Sequence, residues 1–281
     1  MKNGTSSQLL EKMEEWCKTE FLSSRFFDFY KRLLIIQAGV EKCLDVAEIR
    51  LTKSIIKDRI VNGYPLLRFN ELDVNWALVQ GVFAKVAATF ADYSELFGAV
   101  PQGLVKSEPM YTLPRNIAKA WFDGTSLITK ISGEDISEYL LCTLIHQTLR
   151  PFLTNHSKAL CGLVSQEIWR RGYCPICGSS PDFAFLERKA GARWLLCSRC
   201  DTQWLFQRLE CPFCGNKEQA SLSYFTDDGL YRLYVCDKCH QYLKAIDFRT
   251  TDEEIFLPFG RLITFSMDQQ ALEMGYRPKI A

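Results

Sequence analysis

The sequence has no strong excess of either charge and no long hydrophobic run. Its 34 Lys and Arg residues nearly balance its 33 Asp and Glu residues, which gives a formal net charge of +1. A chain so close to neutrality produces no global field that would attract nucleic acid or an anionic membrane. No run of about 18 apolar residues is present, so we expect no membrane insertion.

The sequence also lacks an export signal and the short motifs of common catalytic sites. The segment from Met1 to Ser6 is polar and leads into a charged helical pattern, which predicts a cytoplasmic protein. There is no Ser nucleophile elbow, phosphate-binding glycine loop or His-Glu-x-x-His motif. His146 and His156 have no Cys, Asp or Glu at ligand spacing, so we predict ordinary helix residues. We therefore expect no enzyme and no catalytic residues.

Cysteine, in contrast, is abundant and strongly patterned. Eight of the 12 cysteines form four Cys-x-x-Cys pairs, which are Cys174/Cys177, Cys197/Cys200, Cys211/Cys214 and Cys236/Cys239. This paired spacing, together with the missing export signal, favours reduced thiolates over disulfides.

The four pairs belong to an internal repeat. Residues 174–206 and 211–243 both run from Cys-Pro-x-Cys-Gly through two β-like segments joined by a turn to a second Cys-x-x-Cys. We predict strands at 183–186, 193–196, 221–225 and 231–235, with turns at 189–191 and 227–229. The Asp-Gly in the second turn is a strong hairpin signal.

Each repeat has the composition of a site for one metal ion. A tetrahedral divalent ion binds four thiolates at about 2.3 Å, and each Cys-x-x-Cys turn can supply two of them. We assign the first site to Cys174, Cys177, Cys197 and Cys200, and the second to Cys211, Cys214, Cys236 and Cys239. A glycine after each first pair, Gly178 and Gly215, gives the turn its backbone freedom.

The spacing leaves the chemistry of these sites open. Structural zinc and a redox-active iron in a rubredoxin-like shell both accept four sulfurs. Thiol–disulfide exchange needs a free pair, and here every pair has a partner. A [4Fe–4S] cluster suits the hairpin layout less well than a mononuclear ion.

The rest of the chain reads as helices. Large apolar residues at spacings of three and four predict one long helix, with Asn70 as N-cap and Gly98 as stop; they are Trp76, Val79, Phe83, Val86, Phe90, Tyr93 and Phe97. A second stripe from Phe26 to Leu44 predicts another helix, and further helices are expected near 7–21, 50–61, 115–131, 135–170 and 266–274. The fold class is α+β, with a mainly helical N-terminal domain followed by two tandem rubredoxin-like or zinc-ribbon modules. The predicted domains are 1–170, 171–209, 210–249 and 250–281.

The lone cysteines, one histidine and two tyrosines are interpreted as structural residues. Four scattered cysteines, Cys17, Cys43, Cys142 and Cys161, are predicted to be buried apolar residues. His240 follows a complete ligand set, so we place it at the surface or behind the ligands. Tyr231 and Tyr234 either contact a partner or pack the hairpin, and packing is the favoured interpretation.

Nucleic-acid binding is the main alternative for a double zinc ribbon. Residues 171–249 contain 11 Lys and Arg and 9 Asp and Glu, and two four-thiolate sites with divalent ions would make this region weakly negative. The basic footprint of a nucleic-acid-binding domain is therefore missing.

The full set of motifs resembles the formate dehydrogenase accessory protein FdhE family. The resemblance is carried by Tyr173 to Pro181, Trp204, the second Cys-Pro-x-Cys-Gly and Tyr242 to Lys244, with Met267 to Arg277 in the tail and Phe29, Tyr30, Leu33 and Gln37 near the N-terminus.

That resemblance implies a non-catalytic, cytoplasmic assembly factor. Members of the family act on the catalytic subunit of respiratory formate dehydrogenase before export, and they are thought to carry ferric iron in a rubredoxin-like site. By this resemblance the eight paired cysteines are the metal ligands and the catalytic subunit is the partner. A nucleic-acid-binding double zinc ribbon and a rubredoxin-like electron carrier remain the alternatives.

Overall fold

A computed structural model describes residues 5–16, 24–97, 100–101, 112–127, 130–131, 134–226, 229–253 and 255–279. The chain divides into two compact units. The helical unit comprises Gly4–Ala47 and Phe69–His156, and the cysteine unit comprises Glu48–Arg68 and Ser157–Ala281. Within the described ranges, no helix is both long enough and apolar enough to cross a membrane.

The described helices are α1 (Ser6–Trp16), α2 (Ser24–Cys43), α3 (Lys53–Asn62), α4 (Trp76–Asp92), α5 (Ser94–Phe97), α6 (Arg115–Asp123), α7 (Glu138–Leu160), α8 (Leu257–Ile263) and α9 (Phe265–Glu273). The described strands are β1 (Lys130–Ile131), β2 (Glu134–Asp135), β3 (Pro181–Leu186), β4 (Arg193–Cys197), β5 (Gln203–Phe206), β6 (Leu222–Phe225), β7 (Tyr231–Cys236) and β8 (Gln241–Asp247). Helices followed by a sheet confirm the α+β class.

Helix α4 carries the predicted apolar stripe, but its ends differ from the prediction. Val79, Phe83 and Phe90 are almost completely buried. The N-cap is Asn75, whose Oδ1 accepts hydrogen bonds from the N–H groups of residues 77 and 78. Asn70 is instead part of a short 3-10 turn, and the helix ends at Asp92. The predicted stop, Gly98, lies outside the described residues.

Two other predicted helices are too long. Helix α6 ends at Asp123 because Gly124 adopts φ +68° and donates its N–H to the carbonyl of Trp121. Such a left-handed glycine stops the helix. Helix α7 ends at Leu160, and a 3-10 turn, Cys161–Leu163, takes the place of the predicted continuation to residue 170.

The cysteine unit is built on one six-stranded sheet with the order β5-β4-β3-β8-β7-β6. Its hairpins β3–β4 and β6–β7 are the ones predicted from the repeat, and β5 and β8 add a third strand to each repeat. The only parallel pair among the named strands is β3 with β8, where Phe183 lies opposite Lys244. This pairing joins the two repeats into a single sheet.

One hydrophobic cluster spans this junction. Its buried members are Phe183, Phe185, Leu196, Ile246, Phe248 and Leu257, which come from both repeats and from α8. Helix α9, close to the predicted helix at 266–274, contributes Ala271 to a second cluster with Leu233, Val235 and Tyr242. The two ribbon modules therefore share part of their hydrophobic core.

The segment Glu48–Arg68 packs within the cysteine unit. The N–H groups of Leu66 and Leu67 donate to the carbonyls of Pro175 and Ile176 at 2.8 and 2.9 Å. These bonds hold the first cysteine turn against a segment more than 100 positions earlier in the chain. The predicted domain boundaries at 170, 209 and 249 stay predictions.

Candidate metal centres

The first cysteine cluster brings together the four residues that were assigned to the first site. Cys174 and Cys177 lie in the turn before β3, Cys197 ends β4, and Cys200 lies in the turn before β5. The Sγ atoms of Cys174 and Cys200 are 3.6 Å apart, and those of Cys177 and Cys197 are 3.4 Å apart. All four sulfurs lie within 4.8 Å of one another, and all four residues are buried.

The second cluster repeats this arrangement with Cys211, Cys214, Cys236 and Cys239. The Sγ atoms of Cys211 and Cys239 are 3.7 Å apart, as are those of Cys214 and Cys236. This cluster is less enclosed, because Cys214 is exposed and Cys239 half-buried. The two clusters therefore differ in their access to solvent.

The sulfur spacing fits one metal ion in each cluster. Four thiolates at about 2.3 Å around a tetrahedral ion have sulfurs about 3.8 Å apart. The Sγ–Sγ separations of 3.4–3.7 Å are close to that value. A disulfide would bring two sulfurs to about 2.05 Å. An iron–sulfur cube would hold the sulfurs further apart than a single ion does.

All four cysteine turns share one backbone feature. The residue after each second cysteine has a positive φ, which is +78° at Gly178, +55° at Asp201, +71° at Gly215 and +53° at His240. Glycine adopts this conformation without strain, and Asp and His are among the side chains that tolerate it best. His240 is exposed, and its N–H donates to the carbonyl of Cys236 at 2.8 Å. It therefore completes a turn.

Amide groups of the backbone and of Asn216 donate hydrogen bonds to the sulfurs, as expected for thiolates. In the first cluster, the N–H of Ile176 donates to Cys174 Sγ and the N–H of Arg199 donates to Cys197 Sγ, both at 3.4 Å. In the second cluster, the Nδ2 group of Asn216 donates to Cys236 Sγ at 3.7 Å. Such donors stabilise negative charge on sulfur.

Without a metal, the thiols of each cluster titrate very differently. Burial raises the pKa of Cys174 and Cys197 well above the ordinary value, whereas at Cys200 the hydrogen bonds from the neighbouring cysteines and Thr202 outweigh burial and lower the pKa. In the second cluster burial raises the pKa of Cys239 to about 11. Metal binding must displace the protons that remain, so metal affinity should rise with pH.

Polar residues that the sequence did not single out support the first cluster. Thr202 Oγ1 lies 2.9 Å from Cys200 Sγ and 2.7 Å from Ser157 Oγ. Arg261 of α8 donates from Nη2 to the carbonyl oxygen of Cys197 at 2.9 Å and from Nη1 to Asp201 Oδ1 at 2.9 Å. The sequence alone did not indicate that Thr202 contacts a metal-ligand candidate, because a threonine two residues after a Cys-x-x-Cys pair is not a distinctive motif.

The lone cysteines do not behave as predicted. Cys43 and Cys161 are exposed and Cys142 is half-buried, so the prediction that they are buried was wrong, and Cys17 lies outside the described residues. Cys43 is the last residue of α2 and Cys161 lies in the 3-10 turn after α7, so neither is in the middle of a helix.

The two hairpin tyrosines and His146 each pack against neighbouring side chains. Tyr231 is half-buried against the junction cluster, and Tyr234 is half-buried beside Tyr224, with ring centroids 5.5 Å apart. His146 stacks on Trp121.

Comparison with known proteins gives consistent results. A family model described as FdhE, central domain, matches residues 173–208. Protein FdhE homolog of Aquifex aeolicus (strain VF5) is 28% identical over 260 residues, covering 90% of this chain and 86% of the relative. Protein FdhE of Escherichia coli (strain K12 / DH10B) is 30% identical over 112 residues, covering 38% of this chain and 35% of the relative.

A solved structure has the same fold. The crystal structure of the FdhE protein from Pseudomonas aeruginosa matches with a TM-score of 0.62 at 17% sequence identity, covering 99% of this chain and 95% of that chain. The central-domain match falls on the first cysteine repeat, and the Aquifex alignment extends the similarity over nearly the whole chain. The family model, the relatives and the solved structure together support the resemblance to the FdhE family that the sequence motifs indicate.

Proposed function

We propose that this protein is a non-catalytic maturation factor for a formate dehydrogenase. It binds the catalytic subunit of that enzyme, here called the client, in the cytoplasm, and it holds two metal ions through its eight paired cysteines. Similarity to FdhE proteins supports the maturation role. The observation that carries the proposal is the pair of cysteine clusters, each spaced for one ion, on a single sheet.

The metal content is the first test. Elemental analysis of protein purified without added metal should find two ions per chain, held by the eight cysteines. Zinc would leave the protein colourless, whereas ferric iron in a sulfur shell would colour it red. A fully reduced protein with less than one ion per chain would contradict the proposal, as would intramolecular disulfides detected by mass spectrometry.

The unequal burial of the clusters supports different roles for the two proposed ions. The first ion is structural, because its ligands are enclosed by the sheet, by Thr202 and by Arg261. The second ion is exchangeable, because solvent reaches Cys214. A chromogenic chelator should remove the metal in two phases, the first of them from the second cluster.

Matched serine variants identify the phases. Cys214→Ser should abolish the fast phase and leave the fold intact. Cys174→Ser should abolish the slow phase and unfold the cysteine unit, since structural ions in zinc peptides contribute about 10–16 kcal/mol of apparent binding energy. Loss of the same phase in both variants would contradict the assignment.

Client binding is the second test. Tagged full-length protein should retain the purified catalytic subunit of a formate dehydrogenase at physiological salt. Another secreted enzyme of similar size serves as the negative control. If the protein instead retained nucleic acid in a salt-sensitive manner, the zinc-ribbon alternative would replace this proposal. A reversible redox couple without client binding would favour an electron carrier.

A further inference from the structure

We propose that a basic pocket beside the second cysteine cluster binds an extended, acidic polypeptide segment that carries an apolar side chain. The identity of this segment as part of the client rests on the proposed function. The pocket has a volume of about 340 Å³, and its lining includes Arg193, Arg208, Arg232, Phe213, Tyr224 and Tyr234. A volume of this size suits one large side chain and its neighbours.

The floor of the pocket is one face of the sheet. Tyr224 of β6, Tyr234 of β7 and Leu243 of β8 lie side by side in the strand register and all line the pocket. Leu233, the residue before Tyr234 in β7, does not line the pocket and packs in a cluster with Ala271 of α9, whereas Val235 belongs to that cluster and also lines the pocket. The pocket therefore adjoins this core.

The charge of the pocket favours an anion. Its lining contains three arginines and neither Asp nor Glu. Arg193 is buried, and it donates to two backbone carbonyls but to no described carboxylate. Arg208 is exposed, and no carboxylate of the described residues pairs with it. Arg232 shares the carboxylate of Asp247 with Arg249. Cys211 and Cys236 also line the pocket, and a divalent ion on the four thiolates would place a charge of −2 beside it. Arg193, Arg208 and the group of Arg232, Arg249 and Asp247 together carry +3, so a net positive charge remains around the pocket.

The apolar side chains of the pocket are held in place before any ligand arrives. The guanidinium of Arg232 lies 4.5 Å from the ring centroid of Tyr224, which in turn lies 5.5 Å from that of Tyr234. Among the lining side chains, Leu209 is 61% exposed and Tyr224 is 47% exposed. A preformed pocket loses little side-chain entropy on binding, and exposed apolar rims are typical of interaction sites.

The neighbouring strand points to an extended polypeptide as the occupant. Strand β6 is at the end of the sheet, and no other described strand pairs with its outer edge. An extended segment can add to such an edge through main-chain hydrogen bonds, and its alternate side chains then face the same side. Acidic residues would reach Arg208 while an apolar residue enters the pocket. Single-stranded nucleic acid also binds arginines and aromatic rings, but it cannot extend a sheet.

Short synthetic peptides test the pocket without the client. The probe is fluorescein-labelled acetyl-Glu-Val-Glu-Phe-Glu-Val-amide, titrated with metal-loaded full-length protein and followed by fluorescence anisotropy. The same peptide with Lys for Glu, and an oligothymidylate, are the comparison ligands. We expect the acidic peptide to bind at least about tenfold more tightly than the lysine peptide, with an affinity that falls as salt is added.

Variants locate the binding. Arg208→Glu and Tyr224→Ser should each weaken acidic-peptide binding at least about tenfold, because they reverse a charge and remove part of the rim. Lys57→Glu makes the same charge change on α3, outside the pocket lining, and should leave binding unchanged. Circular dichroism and metal content establish that each variant is folded.

The outcomes separate this inference from the proposed function. The inference fails if the acidic peptide does not bind, if the lysine peptide or the oligothymidylate binds as tightly, or if Arg208→Glu binds like wild type. Any of these results leaves client capture as an independent test. Conversely, if the protein did not capture the client but still bound the acidic peptide, the maturation role would be refuted and the proposed peptide-binding pocket would stand.

Discussion

Replacing Arg261 with methionine should destabilise the cysteine unit by about 3–5 kcal/mol, the usual cost of removing one partner from a buried ion pair. Its side chain is 17% exposed, and it pairs with Asp182 at 2.8 Å and with Asp201 at 2.9 Å. Although burial alone would lower the pKa of Arg261, the two carboxylates raise it above the ordinary value. The attraction thus exceeds the cost of desolvation. Without the guanidinium, Asp201, which is 6% exposed, would keep a buried charge with no counter-ion on α8.

Thermal and urea unfolding of the metal-loaded protein would measure the effect. For a folding unit of this size, a loss of about 4 kcal/mol corresponds to a melting temperature lower by roughly 8–16 °C. The control is Lys217→Met, because Lys217 is 73% exposed and lies 3.4 Å from Glu210. Removing such an exposed pair should cost at most about 1 kcal/mol. Equal unfolding of the two variants, at equal metal content, would refute the reasoning.

Two further predictions concern backbone packing and pH. Gly172→Ala should lower the free energy of unfolding by at least about 2 kcal/mol, because a Cβ at this position would lie 1.9 Å from the carbonyl oxygen of Pro212. The control is Gly162→Ala, where a Cβ would have no heavy atom within 4 Å, and this variant should unfold like wild type in urea. Burial alone would raise the pKa of Asp247, but hydrogen bonds from Arg249 outweigh burial, and the pKa is lower than the ordinary value. The ionised carboxylate therefore stabilises the fold at pH values above its unfolded pKa of about 4, and this stabilisation is lost as the pH falls further. Asp247→Asn should therefore be less stable than wild type at pH 7 and lose less stability on acidification, and parallel pH profiles of the urea midpoint would contradict this.

The cysteine framework could be predicted from the sequence because the information is local. Each Cys-x-x-Cys turn is complete within a few residues, and the order of turn, strand, turn and strand occurs twice. The predicted hairpins are therefore β3–β4 and β6–β7, and the predicted groups of four cysteines are the ones that come together.

The connections between repeats could not be predicted in the same way. In β8, residues 242–247 are all buried, so its sequence lacks the alternation of a half-buried strand. The pairing of Leu66 with Pro175 joins positions that share no local signal. The predicted start of α4 was wrong for a related reason, since Asn70 and Asn75 are both acceptable N-caps by residue type and the sequence does not choose between them.

The parallel pairing of β3 with β8 has a consequence for synthesis of the chain on the ribosome. Strand β8 follows β3 by about 60 residues, so at a typical rate of 5–20 residues per second it emerges roughly 3–12 s later. During that interval the first cysteine turns are already present, while one edge of their sheet has no neighbour. An ion bound early by the first cluster would hold this half-built sheet together until its partner strand arrives. The order of metal loading would then follow the order of translation.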